Sequence, residues 1–400
     1  MQKTILCIAS FEKGQAFLQQ ANKEGWKVIL LTSKSLENGD WPKDAIDEIY
    51  YIPDVNKEWK MDDVVNGVSF LARSRHIDRI VALDDFDVEK ASALREHLRV
   101  PGMGDTTARY FRDKLAMRMK ARESGITVPD FVGIINYDRI REFLDRVSPP
   151  YVLKPRLQAG ATGIKKIQMP DDLWKILDEF GDRQSFYLLE KFIPGEIFHV
   201  DSILVNKKIL FSIVSKYGLP PMEVAHEGRV FTTRTIQRGS TDEVALQQLN
   251  NSVLPSLGLL HGVSHTEYIK GNADGKFYFL ETSARVGGAH IVDLIEAATG
   301  MNLWAEWAKL ETTDDYALYM PKPLRKEYAG LLVSLAKQEY PDMSAYDDPE
   351  VFLKIKKQHH AGVVIRSEKC DRVEELLKKY TERFYNDFFT SAPPKEKPNF

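Results

Sequence analysis

Short apolar runs alternate with amphipathic stretches along the first hundred residues. TILCIAS, WKVILLTS, IDEIYYIP and DRIVALDD read as strands, while GQAFLQQANKEG, MDDVVNGVSFLARSRH and VEKASALREHLRV carry helical spacing. Strand and helix alternation at this spacing predicts a parallel sheet with helices on its faces, a Rossmann-like α/β domain. SFEKGQ follows the first strand where a dinucleotide-binding domain would carry GxGxxG, so that class is set aside. Asp84, Asp85 and Asp87 end the fourth strand, a place where ligands often bind, and read more simply as a solvated loop and helix cap. The turn-rich VPGMGD, residues 100–105, marks a boundary.

Beyond it the pattern changes. Asp105 or Thr106 caps a predicted helix running through ARYFRDKLAMRMKARESG. ITVPDFVGI, YVLKP, IKKIQ, SFYLLEKF, HVDSILV and KILFSIVS read as strands in a mostly antiparallel pattern, with DDLWKILDEFG and TDEVALQQLNNSVLPSLG as helices. HTEYIK and KFYFLE flank GNADG, and Asp274-Gly275 is a hairpin-turn signal. Residues 291–310 read as one amphipathic helix. From about residue 320 a Gly-containing strand, HHAGVVIRS, and a helix, CDRVEELLKKYTERF, make a small α/β unit, and the closing SAPPKEKPNF reads as disordered.

Composition narrows the function classes. Four hundred residues exceed one ordinary core and imply several domains. A formal net charge of -3 makes no electrostatic case for nucleic acid. No run of about 18 apolar residues is present, so no membrane span is expected, and the start MQKTILCIAS lacks a signal-peptide pattern. Cys7 and Cys370 fit no metal or disulfide spacing and read as buried thiols in a reducing cytoplasm.

Three segments carry chemistry. Glu267 and Glu281 fall on two strands joined by a tight turn, and pairing can bring both carboxylates to one sheet face; the alternative is two unrelated surface glutamates. Two adjacent carboxylates repel unless a cation lies between them, and such hard oxygen donors suit Mg²⁺. In VLKPRLQAGATGIKKI a strand delivers Lys154, and the small-residue loop (Ala159, Gly160, Ala161, Thr162, Gly163) lets backbone N–H groups approach phosphate oxygens. That loop alone serves equally as a plain hairpin. In LLEKFIPGEIFHVD a strand meets Glu190-Lys191, passes Phe192-Ile193 and turns at Pro194-Gly195 to present Glu196. Such hinge backbone can bond to the edge of a flat heterocycle, and Glu196 can accept from ribose hydroxyls; read alone, the segment is a strand and turn with surface charges.

In order and spacing these pieces resemble the ATP-grasp superfamily, from Met1 to about residue 380. ALDDFDVEKASALREHLRVPGMG resembles the run into the nucleotide-binding region. RDKLAMRMKARESGITVPDF resembles the segment whose lysine, here Lys114, reaches the nucleotide phosphates, VLKP supplies the second, Lys154, and QAGATG the phosphate-covering loop. By the same resemblance Lys191 and Ile193 offer backbone to adenine, with Glu190 beside them. Glu196 and His199 face the ribose, and Glu267 and Glu281 hold the metal. Arg285 stabilises the phosphoryl group and an acyl phosphate. Many members read Glu-x-Asn-x-Arg. Here Ser283 occupies the Asn slot, a shorter metal ligand. Gly287 and Gly288 would let backbone approach a substrate carboxylate at the start of the next helix.

The resemblance implies a Rossmann-like pre-ATP-grasp domain (1–104), two ATP-grasp subdomains (105–187 and 188–318), a C-terminal α/β domain (319–390) and a tail (391–400). It implies ATP and Mg²⁺ as cofactors, with Mn²⁺ an alternative cation. The expected activity is a carboxylate–amine ligase on small molecules, with ADP and phosphate released. ARVGGAH with a C-terminal α/β domain most resembles the L-amino-acid ligase branch, and biotin carboxylase is the weaker match. The segment MEVAHEGRVFTTRTIQRGS is expected to cover the site. His226, Arg229 and Arg234 in it are either substrate-recognition groups or solvated loop charges. Competing readings are a ligase for a non-amino-acid carboxylate and a non-catalytic ATP-binding regulator. A cytoplasmic location is expected; the resemblance allows a homodimer, and the sequence assigns no oligomeric state.

Overall fold

The computed structural model describes residues 2–55 and 58–390, and the SAPPKEKPNF tail lies outside the described residues. β1 (Thr4–Ala9), β2 (Lys27–Ser33), β3 (Glu48–Ile52) and β4 (Arg79–Ala82) form a parallel sheet in the order β3-β2-β1-β4. Every residue of β1 is buried, as expected for a strand covered on both faces, here among α1 (Gln15–Lys23), α2 (Met61–Ala72) and α3 (Val88–Leu98). Asp84, Asp85 and Asp87 depart from expectation. All three are buried, and only the capping part of the reading holds, with Asp84 Oδ1 accepting from the Phe86 amide at 3.0 Å.

The helix expected from Asp105 onward is two helices, α4 (Asp105–Arg109) and α5 (Lys114–Glu123). Asp113 is the reason. Its Oδ1 accepts from the Leu115 amide at 3.0 Å and caps α5, while Arg156 donates to the same carboxylate from Nε at 2.9 Å. Lys114 is thereby fixed as the first residue of α5.

A second, antiparallel sheet follows. β5 (Phe131–Gly133), β6 (Tyr151–Pro155), β7 (Lys165–Ile167) and β8 (Tyr187–Lys191) stand in the order β5-β8-β6-β7. α6 (Tyr137–Arg146) and α7 (Pro170–Phe180) pack on it through Phe143, Leu173 and Leu177.

The third sheet has eight strands. They are β9 (Gly195–Val205), β10 (Lys208–Tyr217), β11 (Phe231–Thr235), β12 (Gly262–Gly271), β13 (Phe277–Ser283), β14 (Tyr328–Leu335), β15 (Val351–Lys357) and β16 (His360–Ser367), in the order β13-β12-β9-β10-β11-β14-β16-β15. The segment expected as a covering loop instead contains α8 (Pro221–Glu227) and β11. β11 pairs with β14, so the C-terminal region continues this sheet. α9 (Thr241–Leu257) and α12 (Cys370–Asp387) match the helices expected there. Residues 291–310 are two helices, α10 (Ile291–Thr299) and α11 (Leu303–Thr312). Gly300 at φ 75° ends the first, and Asn302 caps the second by accepting from the Trp304 amide at 3.1 Å. α11 in turn grips the parallel-sheet region. Trp307 meets Phe17 edge-on with ring centroids 5.2 Å apart, and the Trp26 indole donates to the Thr312 carbonyl at 3.1 Å. Both cysteines are buried free thiols, and among the described residues no helix is long and apolar enough to cross a membrane.

Candidate active site

A cavity of about 430 Å³ opens between the small antiparallel sheet and strands β12 and β13. β6 brings Lys154 to it, β8 brings Glu190 and Lys191, and the link into β9 contributes Phe192 through Gly195. Gln158 to Thr162 line one side, and Pro220 to Glu223 at the start of α8 line another. Glu267 and Glu281 stand at its base, with Lys114 beside them.

The two glutamates are direct cross-strand partners, on β12 and β13. The Asp274-Gly275 turn sets the register from Lys270↔Phe277 to Tyr268↔Phe279, and a bulge at Leu280 shifts it by one residue so that Glu267 meets Glu281. Gly275 sits at φ 66° and Asp274 Oδ1 accepts from the Lys276 amide at 3.1 Å. The Lys114 ammonium lies 2.8 Å from Glu281 Oε2 and donates to the Gln158 carbonyl at 2.7 Å, so one cation bridges the carboxylate pair to the small-residue loop. In that loop Gly160, Ala161 and Gly163 all have left-handed backbone, at φ 65°, 59° and 70°. Gly160 and Thr162 line the cavity, while Gly163 completes the turn outside it.

Lys154 lies 2.5 Å from Glu190 Oε2, and Arg118 Nε lies 2.5 Å from Glu190 Oε1. Burial alone would raise the Glu190 carboxyl, but the charges of Arg118 and Lys154 outweigh it and hold it down at about 2. Lys191 turns its ammonium to the Ser148 and Pro149 carbonyls, and its amide donates to the Asp130 carbonyl at 2.8 Å. Among the described residues the Ile193 amide makes no hydrogen bond, which leaves a backbone donor at the cavity wall.

Other expected site residues lie elsewhere. Glu196 is half-exposed, pairs with Lys216 at 2.5 Å and is outside the cavity lining. His199 does not face a ribose site. It is fully buried, with Nδ1 2.7 Å from Asp201 and Nε2 2.8 Å from the Thr233 hydroxyl. Alternation along β9 puts it on the cavity-side face, but underneath its neighbours. Arg234 is tied to Glu374 of α12 at 2.7 Å, and Arg229 is exposed beside Glu227 at 3.0 Å. His226 lies on α8, and its side chain is outside the described part of the structure.

Arg285 is anchored by a residue that sequence reasoning set aside. Its Nη2 meets Asp85 Oδ2 at 2.6 Å, its Nη1 donates to the Val286 carbonyl at 2.6 Å, and its Nε is buried with no partner among the described residues. Ser283 donates to the same Asp85 oxygen at 3.1 Å, so its hydroxyl is engaged away from the glutamate pair. Burial would raise the Asp85 carboxyl. The charges of Arg285 and Arg112 and the hydrogen bonds from Arg285 and Ser283 prevail and hold it well below the usual range. Among the described residues Asp85 Oδ1 and Arg112 Nε likewise have no partner, so three segments each contribute a buried, unpaired polar atom.

Gly287 and Gly288 behave differently. A Cβ on Gly287 would lie 2.7 Å from Ile291 Cγ2 and 3.0 Å from Asp201 Oδ1, whereas one on Gly288 meets nothing within 4 Å. Gly287→Ala is therefore expected to cost about 1–3 kcal/mol by overpacking, and Gly288→Ala less than about 0.5 kcal/mol. Urea unfolding midpoints of the two variants would show this split.

Sequence reasoning also missed Arg118, Asp201, His265 and Tyr217. The available signal was period two. His265 precedes Glu267 by two positions and so shares its face, and Asp201 follows His199 in the same way.

No protein-family model matches the chain. It is similar to the L-arginine-specific L-amino acid ligase of Bacillus subtilis, 26% identical over 264 residues, which are 64% of this chain and 62% of that protein. The match therefore spans less than two thirds of that relative's length. Among solved structures, an L-amino acid ligase from Bacillus licheniformis gives a TM-score of 0.72 at 18% identity over 97% of this chain and 98% of that one. N5-carboxyaminoimidazole synthetase from Staphylococcus aureus, solved with ADP, gives 0.72 at 17% identity over 95% and 98%. The chain thus shares its fold with these two enzymes over nearly its whole length, in agreement with the architecture expected from the order of its strands and helices.

Proposed function

We propose that this chain is an ATP-dependent carboxylate–amine ligase that forms an amide or peptide bond by way of an acyl phosphate, with ADP and phosphate released. The observation that carries the reading is the convergence of Lys114, Lys154, the left-handed loop and the Glu267/Glu281 pair on one cavity. Phosphoryl transfer asks mainly for charge neutralisation and alignment, and these groups supply both. The relatives' names, an amino acid ligase and an enzyme solved with ADP, support it.

The residues fit a hard divalent cation. Two carboxylates face each other across one strand pair, with oxygen donors only. Glu267 and Glu281 would hold Mg²⁺, or Mn²⁺, and Ser283 is not needed in that set because Asp85 engages its hydroxyl. Bound there, the cation would neutralise nucleotide phosphate charge. Lys154 and Lys114 would hold phosphate oxygens, exchanging their present carboxylate and carbonyl partners for them. Ile193 would offer its amide to the adenine edge, and Glu190, released by Lys154, would stay paired with Arg118. Arg285, its Nε still unpaired, would meet the acyl phosphate. The loop at residues 158–162 and the start of α8 would exclude water from that intermediate. The domain limits given above, a two-fold homodimer and a cytoplasmic location belong to the same proposal.

The test is a coupled ADP-release screen over pairs of carboxylates and amines, amino acids first, with mass spectrometry of the product. The expected result is ADP formation that requires both partners, and an amide product. ATP binding by calorimetry with no turnover across the panel would favour the regulatory reading instead.

A further inference from the structure

Behind the glutamate pair the sheet buries a polar chain. Asp201 stands between two imidazoles. Its Oδ2 lies 2.7 Å from His199 Nδ1 and its Oδ1 2.9 Å from His265 Nδ1. Asp201 and His199 are completely buried, and His265 nearly so. The Nε2 of His265 then lies 3.4 Å from the Tyr217 hydroxyl and 3.7 Å from Glu267 Oε1. Tyr217 donates to that same oxygen at 2.8 Å. Among the described residues Glu267 Oε2 makes no hydrogen bond, and Glu267 lines the cavity.

His199, Asp201 and His265 lie within 4.8 Å of one another, close enough to hold a cation themselves. The hydrogen bonds argue otherwise, because Asp201 already occupies the Nδ1 of both rings. Stability does not account for the chain either. A buried polar network of this kind is often no more stabilising than apolar packing of the same volume. Its placement is the informative feature, since it ends on one oxygen of one cation-site carboxylate. Glu281, by contrast, is held from the cavity side by Lys114.

We propose that Asp201, His265 and Tyr217 are positioning residues for Glu267. They fix its Oε1 so that Oε2 is presented to the divalent cation. This rests on reading Glu267 as a cation ligand. Groups that orient a ligating carboxylate from behind typically change metal affinity by roughly 10–100-fold when removed.

The test is calorimetric titration of Mn²⁺ into the protein–ADP complex for the unmodified chain and for Tyr217→Phe, Asp201→Asn and Glu267→Gln. ADP affinity without metal and urea unfolding are measured alongside. Tyr217→Phe removes a single hydroxyl from an aromatic ring that otherwise keeps its packing, so it carries the test even where Asp201→Asn fails to fold. The expected result is a roughly 10–100-fold loss of Mn²⁺ affinity in Tyr217→Phe, a similar loss in Asp201→Asn, and unchanged ADP affinity without metal. Unchanged Mn²⁺ affinity in Tyr217→Phe, with a loss in Glu267→Gln, would overturn the positioning role and leave the cation site standing. Unchanged affinity in Glu267→Gln would overturn the cation site and this inference with it.

Discussion

Arg285→Ala is expected to lower the rate of ADP release about 10²–10³-fold, the loss seen when one preorganised donor to a developing charge is removed. The side chain is held in advance. Asp85 fixes Nη2 and the Val286 carbonyl fixes Nη1, so little reorganisation remains for the reaction to impose. Asp85 comes from the far end of the parallel sheet, 200 residues away in sequence. Asp85→Asn therefore probes the same step without touching the guanidinium. It is expected to lower turnover less than Arg285→Ala does, because the donor survives and only its aim is lost. Substrate titrations of both variants, with urea unfolding alongside, separate a chemical defect from a folding one. Full turnover in Arg285→Ala would remove this residue from the mechanism.

Arg118→Ala is expected to destabilise the fold by about 3–5 kcal/mol, the cost of leaving one partner of a buried ion pair unmatched. Arg118 and Glu190 are each only 1% exposed. Lys154 sits on the other Glu190 oxygen, so the loss would reach the cavity as well. The pH dependence has a definite sign. The folded pKa of Glu190, about 2, lies below its ordinary value of 4.5. Its contribution to stability is thus complete above pH 4.5 and is lost as pH falls toward 2. Urea unfolding of the unmodified chain should show this falling limb, and Glu190→Gln should flatten it while lowering stability at neutral pH. A variant as stable as the unmodified chain at pH 7 would contradict the account of the pair.

Local signals made part of the fold legible. The strands of the parallel sheet are continuous apolar runs, and the Asp-Gly turn marked the hairpin that carries Glu267 and Glu281, but the bulge that makes them direct partners left no sequence signal, since the turn's own register would set Glu267 opposite Leu280. β11 was hidden because FTTRT is polar. Thr233 and Thr235 are nevertheless buried, each satisfied by hydrogen bonds, one of them from the Ala329 amide to Thr235 Oγ1 at 3.0 Å. The helix expected over residues 291–310 kept its apolar face, but Gly300 and Asn302 divide it. Among site residues, those on one strand or loop were legible and those defined by a distant partner were not. Asp85 looked like a loop cap because Arg285 could not be placed beside it. His199 was assigned to the ribose by resemblance, and its complete burial against Asp201 and Thr233 depends on strands that its own segment does not show.

In the proposed reaction a carboxylate oxygen attacks the γ-phosphate before the amine arrives. An isotope experiment reads this directly. The chain is incubated with ATP, an amine and a carboxylate substrate labelled with ¹⁸O in both oxygens, and the released phosphate is analysed by mass spectrometry. The account predicts ADP and phosphate carrying one ¹⁸O per amide formed. Unlabelled phosphate, or release of AMP and pyrophosphate, would contradict it.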